Sequence, residues 1–245
     1  MYLLPIFVIN LPSSTDRRAL MECELNRLGA TAEFFPAIRG SDIRHEIHIK
    51  DPHNNLTDGE LGCYMSHVAL WKRIAYSALP SAVVLEDDVC LSPAFLQVCK
   101  ELTSSHLVFD LVRLGSLRKA KGIPVGRLPT GHELLLATAA PDGTQGYLIT
   151  RSGAEALLRR ISRPTAPIDR QLNQYWEYGL KVLLLSEPVV HHNLHLESTI
   201  DPSGRAPINT SLPLIQRLRR SIKKRAAIAA LRNQITGQPS SPPSS

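Results

Sequence analysis

The chain has 245 residues and is 43% hydrophobic, enough for a sizeable buried core. No run of about 18 apolar residues occurs, which excludes an apolar membrane-spanning helix from this sequence. The net charge is +6 but unevenly spread: after Asp201 there are eight Lys and Arg and no acid, while the rest carries 20 basic against 22 acidic residues. The basic character therefore belongs to the tail.

The four cysteines, Cys23, Cys63, Cys90 and Cys99, form no CxxC pair, which fits reduced thiols packed as small hydrophobes. Met1 to Leu4 enters an apolar strand almost at once, with no basic region and cleavage site before it. The expectation is a cytoplasmic protein.

In chain order, residues 2–11 predict a first strand, and Ser14 or Thr15 caps a helix over 15–28 that Gly29 stops. Residues 34–38 predict a short strand, and the polar stretch 39–58 an irregular loop. Thr57 with Glu60 has capping-box spacing and opens a helix running to about Ser77. Further helices are expected at 93–102, 152–161 (capped by Ser152) and 170–178. Further strands are expected at 107–114, 133–139, 143–150 and 181–185, with a loop at 115–131. Strands alternating with helices predict an α/β fold around a mixed, mostly parallel central sheet in one domain over 1–205.

The most informative stretch is Ser81 to Val89. Val83, Val84 and Leu85 read as a buried strand, because an unbroken apolar run suits a sheet covered on both faces. Glu86, Asp87 and Asp88 follow it directly. Three adjacent acids at a strand's carboxyl end repel one another and lose hydration, and a hard divalent cation relieves both costs. In strand geometry Glu86 and Asp88 share a side and Asp87 faces away. Asp88 is the expected direct ligand of Mn²⁺ or Mg²⁺, with Glu86 beside it; the alternative has one of the pair holding a ribose. His192, in the pair His191-His192 after the last strand, is a candidate third ligand, since neutral imidazole suits Mn²⁺.

Several segments together resemble glycosyltransferase family 25, the lipooligosaccharide galactosyltransferase-like family. They are Ile9-Asn10-Leu11 with Arg17-Arg18, Gly59 to His67, Leu85 to Val89, Gly143 to Ile149, and Pro167-Ile168-Asp169. They follow in order over roughly residues 5–200, and Gln145 departs from the small residue expected at its place. The resemblance implies a GT-A-like, Rossmann-type domain, a UDP-sugar donor, a divalent metal and an inverting mechanism. It further implies transfer of a hexose such as galactose to a lipopolysaccharide, lipooligosaccharide or related glycan or glycolipid acceptor. In that architecture Asn10 and Leu11 lie where the nucleobase sits and Arg17 reaches a phosphate. Ser66, His67, Glu86 and Asp87 then belong to the donor site. Asp169, after Pro167 at a helix start, is the candidate general base; its plainer role is to accept backbone N–H bonds. A catalytically inactive nucleotide-sugar or glycan-binding protein of the same fold is the alternative.

In the tail, Leu212, Leu214, Ile215, Leu218, Ile222, Ala226 and Ile228 recur at helical spacing among basic residues. This predicts a cationic amphipathic helix over 206–236 suited to an anionic membrane surface, and hence a peripheral protein at the membrane's inner face. The tail has no aromatic residue, so no nucleic-acid partner is expected. Residues 237–245 are Pro/Ser-rich and expected to be disordered.

Overall fold

The computed structural model describes residues 4–50, 56–161, 163–193 and 213–237. The predicted disordered segment lies outside them apart from Gly237, as does Leu212.

Eight strands form one sheet in the order β2-β1-β3-β8-β5-β9-β7-β6. They are β1 (Ile6–Asn10), β2 (Glu33–Pro36), β3 (Ser81–Glu86), β5 (Leu111–Arg113), β6 (Gly122–Arg127), β7 (Glu133–Ala137), β8 (Gly146–Thr150) and β9 (Val182–Leu185). β7 and β8 run against the other six, so the sheet is mixed and mostly parallel in direction, as expected. Every residue of β1 and β9, and β3 up to Leu85, is buried. Because successive side chains point to opposite faces, burial at every position means that both faces are covered.

The helices are α1 (Thr15–Arg27), α2 (Gly40–Lys50), α3 (Asp58–Ala75), α4 (Phe95–Ser104), α5 (Arg151–Arg160), α6 (Ile168–Leu172), α7 (Tyr175–Tyr178) and α8 (Leu214–Thr236). The capping box opening α3 is present: Thr57 Oγ1 accepts from Glu60 N, and Thr57 N donates to Glu60 Oε2. Gly29 ends α1 at φ +67°, a conformation glycine adopts without strain. α5 is capped by Thr150, not Ser152, because Thr150 Oγ1 accepts from Gly153 N.

Three expectations fail for physical reasons. The polar stretch after Arg39 is not an irregular loop but α2, held down by Arg44 pairing with Asp58 and donating to Leu56 O. Residues 115–131 contain β6, an edge strand with an irregular register between Pro124 and Gly126, where proline is tolerated. The helix expected over 170–178 breaks at Asn173 and Gln174 into α6 and α7.

A second ribbon, β4 (Val89–Leu91) paired antiparallel with β10 (Val190–His192), grows from the end of β3. β1 lies between β2 on one side and β3 on the other, so the chain order reverses beside β1. In open α/β sheets a crevice forms there, at the carboxyl ends of the strands. Close approach of α3 walls this crevice. A Cβ on Gly62 would lie 2.5 Å from Ile38 O and 2.9 Å from Gly40 N. One turn on, Ser66 Oγ accepts from Ile38 N (2.8 Å) and donates to Gly62 O (2.7 Å).

Replacing Gly62 by Val is therefore expected to destabilise the protein by about 1–3 kcal/mol, since backbone atoms must move apart to admit the side chain. Urea unfolding of the variant beside the parent measures this.

Candidate active site

A cavity of about 530 Å³ occupies the crevice. Leu11, Arg17, Ser66, His67, Glu86, Asp87, Asp88, Asp169 and His192 all line it. Of the site residues expected from the sequence, Asn10 is not in the lining. Its buried amide donates to Ser14 O (3.2 Å) and to Asp87 Oδ2 (2.7 Å), so it serves Asp87 from behind.

The three acids are held in three different ways. β3 ends at Glu86 and residues 87–88 form a turn, so the strand alternation expected through Asp88 does not apply. Asp87 is braced by the Asn10 amide and by Arg17 Nη1 at 3.1 Å, which ties the turn to β1 and α1. Arg18 is directed elsewhere, pairing with Glu22 and stacking over Phe34.

Glu86 uses Oε1 to accept from the Thr144 hydroxyl and to face His67 Nε2 at 3.6 Å. Burial alone would raise its carboxyl; the His67 and Thr144 contacts outweigh burial and hold it below the ordinary range. Trp71 Nε1 can only donate, and it donates to Tyr147 Oη (2.8 Å). Tyr147 Oη in turn shares a 2.8 Å hydrogen bond with His67 Nδ1. With Tyr147 as the donor in that bond, the His67 hydrogen sits on Nε2, the nitrogen turned toward Glu86. Cys63 lies beside this pair, with its thiol pushed well above its usual value by burial and by the charges of Glu86 and Asp169. Ligand atoms of Cys63, His67 and Glu86 lie within 4.8 Å of one another. Among the described residues His67 Nε2 is buried with no hydrogen-bond partner, 3.6 Å from Glu86 Oε1.

Asp88 is different. Its Oδ2 lies 3.7 Å from His192 Nδ1 and 3.9 Å from Arg17 Nη1, and its buried Oδ1 has no hydrogen-bond partner among the described residues. Burial, then the charge of Glu86, push its carboxyl up to about 6. The β4–β10 ribbon brings the imidazole here: His192 sits opposite Val89, and Asn193 N donates to Asp88 O (2.8 Å). His191 points away and is exposed. A carboxylate oxygen unpartnered among the described residues beside an imidazole, with Glu86 lining the same cavity, is a donor set that fits Mn²⁺ or Mg²⁺. Glu86 Oε1 is engaged by the Thr144 hydroxyl and faces His67.

Asp169 enters from α6. Its Oδ1 accepts from Arg170 N (2.8 Å) and its Oδ2 from Gly143 N (3.2 Å). The plainer expected role is present, since Asp169 takes two backbone N–H bonds, and the residue also lines the cavity. Ser66 is less available, since its hydroxyl is committed at both ends within the α3 wall.

Two residues were missed from sequence. Arg113 is a buried cation behind segment 142–145, donating to Gly143 O and to Asn173 Oδ1 (3.2 Å), with burial lowering it to about 10. A lone arginine in Leu-Val-Arg-Leu gives no sequence signal of this. Arg39, which lines the cavity, sat in the stretch taken for a loop. Gln145 is buried with Oε1 unpartnered, its amide lying over Gly143, where φ of +75° and the amide itself leave no space for a side chain.

Residues 3–124 match glycosyltransferase family 25 (LPS biosynthesis protein), a span running from β1 through the acids of β3. A glycosyltransferase 25 family member from Aedes aegypti is 32% identical over 183 residues, covering 68% of this chain and 30% of the relative. Procollagen galactosyltransferase 1 from Danio rerio is 32% identical over 170 residues, covering 63% and 28%. The chain thus spans under a third of the length of these curated relatives. Among solved structures, a glycosyltransferase involved in glycosylation of the major capsid of PBCV-1 aligns with 80% of this chain and 95% of its own, at 10% identity and a TM-score of 0.45. The segments that carried the resemblance in the first half of the sequence fall within the matched span and wall the same cavity, and the chain belongs to glycosyltransferase family 25.

Proposed function

We propose that the chain is an inverting, metal-dependent glycosyltransferase that moves a hexose from a UDP-sugar to a glycan acceptor. Galactose is favoured by the activity named for the zebrafish relative, and a lipopolysaccharide or lipooligosaccharide acceptor by the description of the family. The observation that carries this reading is the buried Asp88 Oδ1, unpartnered among the described residues, beside His192 on the wall of a nucleotide-sized cavity.

Asp88 and His192, with Glu86, are the residues that would hold the cation. When bound, it supplies positive charge to the departing diphosphate. The protein's own groups do the rest. Arg17, fixed by Asp87, and Arg39 place further positive charge on the same wall. The Trp71–Tyr147–His67 series sets His67 facing Glu86. Asp169, steadied by two backbone N–H groups, takes the proton from the acceptor hydroxyl as its oxygen attacks the anomeric carbon. The bond from that carbon to the diphosphate oxygen breaks, and the configuration inverts in the single displacement.

Asp88→Asn is expected to abolish stabilisation by Mn²⁺ in a thermal-shift assay and to remove donor turnover. The sign without metal is opposite. A carboxyl with a raised folded-state value contributes stability at low pH that is lost as pH rises from about 4 through about 6. The metal-free Asn variant should therefore match or exceed the parent at pH 8, by up to roughly 2 kcal/mol. Asp169→Asn is expected to lower kcat by at least about 100-fold with UDP affinity retained; an equal loss of both would remove the general-base assignment. Donor binding by the parent with no transfer to any glycan would favour the inactive member of the fold. ¹⁵N spectra of His67 should show hydrogen on Nε2 in the parent and a changed tautomer population in Tyr147→Phe.

A further inference from the structure

Helix α8 has two halves with different surroundings. Its C-terminal half buries Ile228, Leu231 and Ile235 in the main core and packs against α7 and β6. Arg220 pairs with Glu177 at 2.9 Å and lies over Trp176, and Lys224 Nζ donates to Thr138 O (2.9 Å). These contacts fix the helix to the domain. On the N-terminal half, apart from these two anchors, the apolar side chains are bare: Leu214, Ile215, Leu218 and Ile222 are 59–80% exposed. No helix among the described residues is long and apolar enough to cross a membrane.

The exposed residues are not a frayed continuation of the docked face. At about 100° per residue, Leu214, Leu218, Ile222 and Ile215 fall within an arc of roughly 100°. The centre of Ile228, Leu231 and Ile235 lies about a third of a turn away, on the side where Arg220 and Lys224 meet the body. The apolar stripe is therefore a second face. Arg217 borders it on one side and Arg219 and Lys223 on the other. Arg217, Arg219, Lys223 and Arg225 make no ion pair with any described residue, and α8 contains no acid.

We propose that this half of α8 lies on an anionic lipid bilayer surface. The four apolar side chains enter the boundary between headgroups and acyl chains, and the flanking cations meet acidic headgroups. Charge selects this occupant. A second copy of the chain would bring the same unpaired cations to both edges of the stripe, with no carboxylate on either helix to meet them. A bilayer rich in acidic lipid offers an apolar interior and negative charge together. The docked half then holds the catalytic domain at a fixed distance from that surface.

The test uses the full chain and sedimenting vesicles of phosphatidylcholine, with or without about 30 mol% phosphatidylserine. Binding to the acidic vesicles is expected to exceed binding to neutral ones at least about tenfold and to weaken with added salt. Leu218→Glu with Ile222→Glu should lose binding with an unchanged melting temperature, because both side chains are already in solvent. Arg217→Gln with Arg219→Gln and Lys223→Gln should lose the preference for acidic vesicles. Equal binding to both vesicle types, or full binding by the Leu218/Ile222 variant, would overturn the proposal. So would self-association in ultracentrifugation, or salt-sensitive binding to single-stranded DNA, that depends on these residues in a chain that ignores vesicles. The readout is independent of sugar transfer, so failure here leaves the transferase reading standing, and the reverse holds too.

Discussion

The site is organised by the cost of placing three consecutive carboxylates at the buried end of β3. Mutual repulsion and lost hydration both oppose this, and each acid meets the problem differently. Asp87 is neutralised by Arg17 and anchored by Asn10. Glu86 is held below its ordinary value by its contacts with His67 and the hydroxyl of Thr144, which outweigh burial. Asp88 receives the least compensation, and its proton affinity rises accordingly. Two satisfied neighbours thus concentrate the unmet demand for positive charge on one oxygen. That oxygen belongs to the residue nearest the imidazole of His192.

The scaffold makes this possible by bringing distant segments to one point. Reversal of strand order beside β1 opens the crevice, and the β4–β10 ribbon carries residue 192 back to residue 88. The antiparallel course of β8 delivers Thr144 and Gln145 to the end of the sheet where β1 and β3 finish. Behind them the buried Arg113 holds Gly143 and Asn173, and Asn173 in turn holds Asp142. A cation placed there balances part of the negative charge gathered in front of it.

Much of this could be read from local pattern. The unbroken apolar run before Glu86, the capping box at Thr57 and Glu60, and the stop at Gly29 each depend on a few neighbouring residues, and each appears as expected. What escaped reading depends on partners far along the chain. Val89 to Leu91 is too short to announce a strand without Val190 to His192 beside it. The helical character of 40–50 rests partly on Arg44 reaching Asp58 and Leu56. Nothing local to Asn10 shows that its amide is engaged by Asp87, 77 residues away. The tail pattern gave a single amphipathic helix, whereas docking on α7 and β6 divides it into an anchored and a projecting half.

Segment 143–144 touches two of the three carboxylates assigned to chemistry. Gly143 N holds Asp169, and one residue later the Thr144 hydroxyl holds Glu86. A backbone shift of this two-residue span would move both acids in concert, whereas loss of the Thr144 hydroxyl alone would release Glu86 and leave the Gly143–Asp169 bond in place.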